Sequence, residues 1–409
     1  MQDANSLSRP PRFLDRRSPP HIITLILLAS VSGIALNIFL PSLPNMTRYF
    51  DTEYGLMQMA VAFYLAMNAV LQLIVGPISD RYGRRPVLLW GLVIFLLATL
   101  GCIWATNVWV FLAFRMLQAA VVVTMALARA TIRDMVPERE AASMIGYVTM
   151  GMAVAPMLGP AIGGALDAVF GWQASFWALF IMGALVLALT WADQGETAPR
   201  RSGGFAQQMR DSPELFRSPR FWGYAGTLGL ASGAFFAYLG GGPYVGDQVF
   251  GMDPATFGIY FGAPAVGYFL GNFFSGRYSI RFGVNWMVLV GSVICAAGIT
   301  LNLALFVLGL GTPLSFFGLM SLMGLGNGLV IPNATAGALS VRPHLAGTAS
   351  GLSGALMIGL GAALSALAGV VLNLGMGALP LLVLMAVSAY GAIWTILYVI
   401  KRERKLGVA

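Results

Sequence analysis

Charge is what this sequence has least of. Only 10% of its 409 residues are Asp, Glu, Lys or Arg, against about 25% in soluble domains. With 58% apolar residues, that balance excludes an ordinary soluble fold and describes a chain that meets lipid over most of its surface. The two histidines, His21 and His344, lie in loops, and the two cysteines, Cys102 and Cys295, lie inside apolar runs. Neither pair supports a metal site or a disulfide framework, and the cysteines read as small packed hydrophobes. No Gly-x-x-x-x-Gly-Lys-Ser/Thr loop occurs, which argues against a nucleotide-driven pump. None of the sixteen carboxylates falls at the middle of an apolar run. A membrane enzyme needs convergent acids, a histidine cluster or a nucleophile with its base, and these runs offer none.

What is present is arranged around a membrane. Crossing about 30 Å of hydrocarbon takes about 20 apolar residues. Twelve such spans are readable: 22–43, 55–76, 86–106, 108–130, 142–168 and 174–192, then 221–245, 255–276, 286–309, 313–338, 347–373 and 378–400. The expected class is an all-α integral membrane protein of two six-helix bundles. Residues 22–192 and 221–400 form the bundles, 193–220 a solvated linker, and 1–21 and 401–409 the tails. The net charge of +8 is confined to one side, because twenty-two of the twenty-four Lys and Arg residues fall in seven segments on the same face of this topology. Cytoplasmic loops collect such charge, so both termini are expected inside. No basic stripe interleaves with exposed aromatics, so nucleic acid is not an expected partner.

One cassette occurs twice. Gly76-Pro-Ile-Ser-Asp80-Arg81-Tyr-Gly83 reads against Gly276-Arg-Tyr-Ser-Ile280-Arg281-Phe-Gly283, 200 residues apart. Polytopic proteins whose second half repeats the first are commonly transporters that rock two bundles about a central site. The first copy carries Asp80, Arg84 and Arg85 where the second has Ile280, Val284 and Asn285. The charged latch is therefore expected in the first half, with Gly76 and Gly83 providing a tight turn.

Three further motifs sit within the spans. Arg115-Met-Leu-Gln118 places a cation about eight residues, or roughly 12 Å, into the fourth span, a position that costs a few kcal/mol without a partner. Gly146, Ala155, Gly159-Pro160 and Gly163-Gly164 line the fifth span with small residues that permit close packing, and Pro160 introduces a kink. Asn37 closes the first span in Leu36-Asn37-Ile38-Phe39-Leu40-Pro41.

Together these residues resemble the major facilitator superfamily. The loop Gly76 to Arg85 is similar to its signature between the second and third helices. Arg115 and Gln118 resemble its fourth-helix motif, with Ala119 replacing the usual glycine, and the fifth-span glycines resemble the motif of its drug antiporters. With Gly171-Trp-Gln, Pro332-Asn-Ala-Thr and Ala346-Gly-Thr-Ala-Ser-Gly, the likeness extends to the Bcr/CflA drug-resistance branch from about residue 22 onward. The resemblance implies that Asp80 engages the start of the eleventh helix and that a loop arginine pairs with Asp134. It also associates Arg115, Gln118 and position 37 with proton coupling or with ordering the central site. That branch commonly has aspartate where this chain has Asn37, and an amide does not titrate.

Candidate lining residues of a central cavity are Tyr64, Asn68, Gln72, Phe235, Phe236, Tyr238, Tyr260, Tyr268, Asn327 and Asn333. Tyr64, Asn68 and Gln72 stand at i, i+4 and i+8, on one helix face. The expected function is export of small amphipathic drugs, phenicol- or bicyclomycin-like, from the inner membrane of a bacterium. The expected carrier is a monomer with no cofactor, driven by the proton gradient. The alternative is a carrier of the same fold for a metabolite or a soft metal such as copper, possible because thioethers bind Cu(I) and the chain has twenty-one methionines.

Overall fold

The structure, a computed structural model, describes residues 13–16, 18–135, 158–197, 215, 217–342 and 346–407, leaving out the side chains of Pro77, Asp80, Arg133, Ala346 and Gly347. Gly146 and Ala155 lie outside the described residues. Helical segments occupy the described part of each of the twelve expected spans, which for the fifth is its end from residue 158 onward. In the first half these are Ile22–Asn37, Tyr54–Tyr82, Arg84–Ile103, Val108–Gln118 with Val122–Met135, Leu158–Phe170 and Gln173–Asp193. In the second they are Pro219–Tyr244, Pro254–Phe261 with Ala263–Phe282, Val284–Val307, Pro313–Ser340, Ala346–Leu372 and Leu379–Leu406. Among the described residues, nine helices are long and apolar enough to cross a membrane.

Breaks in the helices have local causes. The first span stops at Asn37 and continues as a 3₁₀ turn, Leu40–Ser42, and a short helix, Leu43–Tyr49. Pro41 and Pro44 cannot donate to the preceding turn, so an unbroken ladder is impossible there. The fourth span tightens into a 3₁₀ turn at Ala119–Val121, immediately after Gln118, a feature that often marks functional positions. Pro243 ends the regular part of the seventh span, which finishes in a π turn, Val245–Val249.

The eighth span is started by Asp253, whose carboxylate accepts from the N–H groups of Ala255 and Thr256 at 3.0 Å each. Hydrogen bonding from the Thr256 side chain first, then from the Thr256 and Ala255 N–H groups, holds its carboxyl below the usual carboxylate range. A depressed pKa means the cap's contribution is present above the ordinary value and is lost as pH falls through the folded value. Asp253→Ala should therefore cost about 1 kcal/mol at neutral pH, and the difference from wild type should shrink in melts run at increasingly acid pH.

Close backbone approach fixes the packing. An ideal Cβ on Gly163 would lie 1.6 Å from the Ile38 carbonyl oxygen, which ties the fifth span to the end of the first. In the second half, Gly267 and Gly324 bring the eighth and tenth spans together in the same way, against Ser321 O and Pro264 O. Between the halves, the second span runs along the eleventh. Among the described residues, several bonds cross this seam at the end away from the cassettes. Tyr54 Oη donates to Gly240 O at 2.7 Å, Gln58 donates to the backbone and hydroxyl of Ser365, and Arg48 faces Asp247 at 3.6 Å. Backbones also meet there, where Gly164 abuts Pro254 and Gly258 abuts Pro160.

Candidate functional site

The cassette turns are built alike. In each copy the helix ends one residue before a glycine whose N–H bonds a serine carbonyl four residues back at 2.9 Å, Gly83 to Ser79 and Gly283 to Ser279. Their φ angles of +97° and +81° are open to glycine and strained for other residues. Gly76 does not share in that turn. It lies inside the helix Tyr54–Tyr82 with nothing within 4 Å of an added Cβ, so the tight turn expected of both glycines rests on Gly83 alone.

Around Gly83 the charges interlock. Arg84 donates through Nε to Asp134 at 3.1 Å and also reaches the Ser79 hydroxyl. Arg84 is 8% exposed, so one polar cluster holds the ends of the second, third and fourth spans. Glu196 accepts from the backbone N–H of Arg84 at 2.8 Å and of Arg85 at 3.2 Å. It caps a helix whose own cap residue, Gly83, has no side chain to offer. Arg85 donates to Trp191 O, and Arg81 lies over the Tyr82 ring. The start of the linker is therefore docked rather than solvated: Asp193, Gln194 and Thr197 are all buried. The backbone of Asp80 is helical, and the engagement of its side chain with the eleventh helix lies outside the described residues.

The second half has an electrostatic device of its own, built on a carboxylate outside its cassette. Glu403 is 4% exposed and accepts from Arg220, from the amide of Asn285 and from Tyr224 Oη, the last at 3.1 Å. Asn285 is the residue that replaces Arg85 in the repeat, and it also accepts from Tyr224 Oη at 2.7 Å. The first half answers with Asp193, which accepts from Leu14 N at 2.6 Å, His21 N at 2.9 Å and Thr24 Oγ1 at 2.6 Å. Thr24 and Tyr224 are again 200 residues apart. In each half, a carboxylate ending the sixth helix holds the start of the first.

Arg115 occupies the interior of the first half with no exposure at all. One guanidinium nitrogen donates to Ala35 O at 2.9 Å and another to Gln118 Oε1, while Gln118 Nε2 donates to Thr99 Oγ1 at 2.8 Å. The rings of Phe39 and Tyr64 stack on the cation, each with its centroid 4.2 Å away. Its Nε has no partner, and among the described residues no carboxylate pairs with it. Asn37 is not part of this cluster. Its Nδ2 donates to Gly33 O at 2.7 Å, its Cβ lies beside Gly159, and its Oδ1 is unpartnered.

The remaining candidates separate into groups. Tyr64 turns inward to Arg115, while Asn68 and Gln72 bond each other at 2.9 Å and Gln72 faces Gly354 of the eleventh span. Phe236 packs on Gly361 across the seventh and eleventh spans, with Phe235 beside it. Tyr238 belongs to the packed interior of the second half, stacked on Phe261 at 4.5 Å with its hydroxyl donating to Phe261 O at 3.0 Å. Tyr260 lies against Phe317. The Tyr268 carbonyl accepts from Asn272 at 2.8 Å. Asn333 is bonded to Ser275 Oγ and Leu329 O at 2.8 Å each, which makes it a tie between the eighth and tenth spans. Asn327 is buried with its Oδ1 unpartnered.

Sequence comparison places this geometry. The model of the Major Facilitator Superfamily matches residues 25–366. The chain belongs to that superfamily. Among relatives of this superfamily chain, Multidrug resistance protein D of Escherichia coli K12 is 33% identical over 377 residues, covering 88% of this chain and 91% of that one. The Chloramphenicol resistance protein of Pseudomonas aeruginosa is 30% identical over 80% of this chain and 78% of its own length. In fold, a bacterial homologue of the human lysosomal transporter Spinster, inward-facing and unoccupied, superposes with a TM-score of 0.68 at 17% identity, covering 93% of this chain and 94% of that one. The superfamily chain is a multi-pass membrane transporter of small molecules and not an enzyme.

Proposed function

We propose that this transporter exports small amphipathic drugs by alternating access of its two halves, as a monomer in a bacterial inner membrane with both termini cytoplasmic. A proton gradient is the proposed driving force. Relatives named for multidrug, chloramphenicol and bicyclomycin resistance support the substrate class. The observation that carries the mechanism is the bonded seam at the end away from the cassettes. Tyr54–Gly240, Gln58–Ser365 and Arg48–Asp247 tie the halves at the end away from the cassettes, while Gly76, Gly276 and Gly283 have open space around them. A seam bonded at that end suits a carrier closed to that side of the membrane.

Expression in a pump-deleted bacterium should raise resistance to phenicols. No protection on a broad drug panel, despite good membrane expression, would refute the substrate class. Coupling is tested in vesicles by comparing wild type with Asn37→Asp, and export indifferent to a pH gradient in both would remove the proton. Gln58→Leu tests the seam. It deletes two bonds between the second and eleventh spans, each contributing roughly 0.5–1.5 kcal/mol. The open population should rise about tenfold. Both native cysteines are buried, so labelling of Ala368→Cys, buried on the eleventh span three residues from Ser365, by an impermeant thiol reagent reads the change without touching either bond. Unchanged labelling would mean the bonds do not hold the seal.

A further inference from the structure

We infer that Arg115 is an uncompensated charge that makes its site inside the first half select aromatic anions over cations. The inference rests on the exporter reading only for the use made of the site, since it concerns binding. Every acceptor the guanidinium reaches is neutral: the Ala35 carbonyl and the Gln118 amide oxygen. The Phe39 and Tyr64 rings attract the cation but cancel none of its charge. Among the described residues no carboxylate pairs with it, and Asn37 is both neutral and turned toward Gly33 and Gly159. A fully buried charge left in this state is costly, and natural membrane proteins keep such charges for ligands or relays.

The free valence points to the kind of ligand. Arg115 Nε is buried and without a hydrogen-bond partner, which leaves one donor of the guanidinium free, while the Tyr64 hydroxyl beside it faces the side chain of Ser32. A carboxylate or sulfonate is planar or compact, offers two or more acceptor oxygens, and matches the fork of an arginine edge. The two rings supply apolar walls, so the rest of the ligand is aromatic or aliphatic. They also enclose the guanidinium in this state, so entry requires Phe39 or Tyr64 to swing aside. A cation entering the same place meets a like charge where little water screens it, and it is rejected by repulsion rather than by fit.

Two probes of matched size test this, 2-naphthoate and 2-naphthylmethylammonium, titrated by calorimetry into the full-length protein in detergent. Wild type should bind the carboxylate at least about tenfold more tightly, equivalent to about 1.4 kcal/mol. Gln118→Glu sets a carboxylate against Arg115 on the bond Gln118 already makes, and Thr99 can donate to it in turn. The preference should vanish or reverse in that variant. Should Gln118→Glu fail to fold, Arg115→Met removes the charge and must abolish the preference in the same way. Equal or tighter binding of the ammonium by wild type, no binding of either ion, or an unchanged ratio in the folded variants would overturn the inference. Because no transport is read, loss of the exporter reading would show separately, as absent drug resistance with the binding preference intact.

Discussion

Arg115→Ala should abolish resistance and yet leave a protein that melts within about 5 °C of wild type. The opposing contributions to stability are of similar size. Alanine removes two ring contacts worth about 0.5–2 kcal/mol each, and it leaves Ala35 O and Gln118 Oε1 without their donors, at about 1–3 kcal/mol each. Against that, it removes an uncompensated cation from a site with no exposure, which relieves several kcal/mol of desolvation. A residue whose deletion is nearly neutral for folding is retained for what it does. Export should fall to the level of cells carrying empty vector, read as the drug concentration that stops growth alongside a melt of the purified protein. Arg115→Lys should keep part of the activity, because an ammonium retains the charge but not the planar fork that spans Ala35 and Gln118 between two rings. Resistance retained by the alanine variant would sink the central role. A collapse of expression would assign Arg115 to folding instead.

The spans were legible because lipid imposes a composition that survives without context, and the repeated turn was legible because Gly83 and Gly283 need positive φ. Arg115 and Gln118 were legible as a pair because three residues along a helix share a face. Their other partners were not: Ala35 and Phe39 come from the first span, brought in by packing that no local pattern encodes. The same limit explains Asn37, which reads as a neighbour of Arg115 by motif but turns to the fifth span. Likewise Tyr64, Asn68 and Gln72 form one stripe by spacing, yet tertiary packing turns the first inward and leaves the others at the seam. The carboxylates that organise the cassette end, Asp193, Glu196 and Glu403, act on residues more than a hundred positions away. A signal existed for one of them. Glu403 is a single acid inside Lys401-Arg402-Glu403-Arg404-Lys405, where a purely topological charge cluster has no use for it.

Glycine shows the same division between pattern and packing, and it gives the second large effect. Gly163→Ala should destabilise the first half by at least about 3 kcal/mol, enough to lower expression and abolish export. The added carbon would stand 1.6 Å from the Ile38 carbonyl oxygen and 2.7 Å from its carbon. Backbone cannot rotate aside as a side chain can. The first and fifth spans would have to separate by an ångström or more, just where Asn37 and Gly159 also touch. Gly76→Ala is the matched contrast. That position has open space and helical backbone, so alanine should be neutral or stabilise by up to about 1 kcal/mol through helix propensity. A detergent melt followed by size-exclusion chromatography separates the two outcomes. If Gly76→Ala folds but loses export, the glycine serves an approach made in another conformation, since nothing in this one needs the space. If Gly163→Ala melts like wild type, the first and fifth spans are not held by the backbone contact.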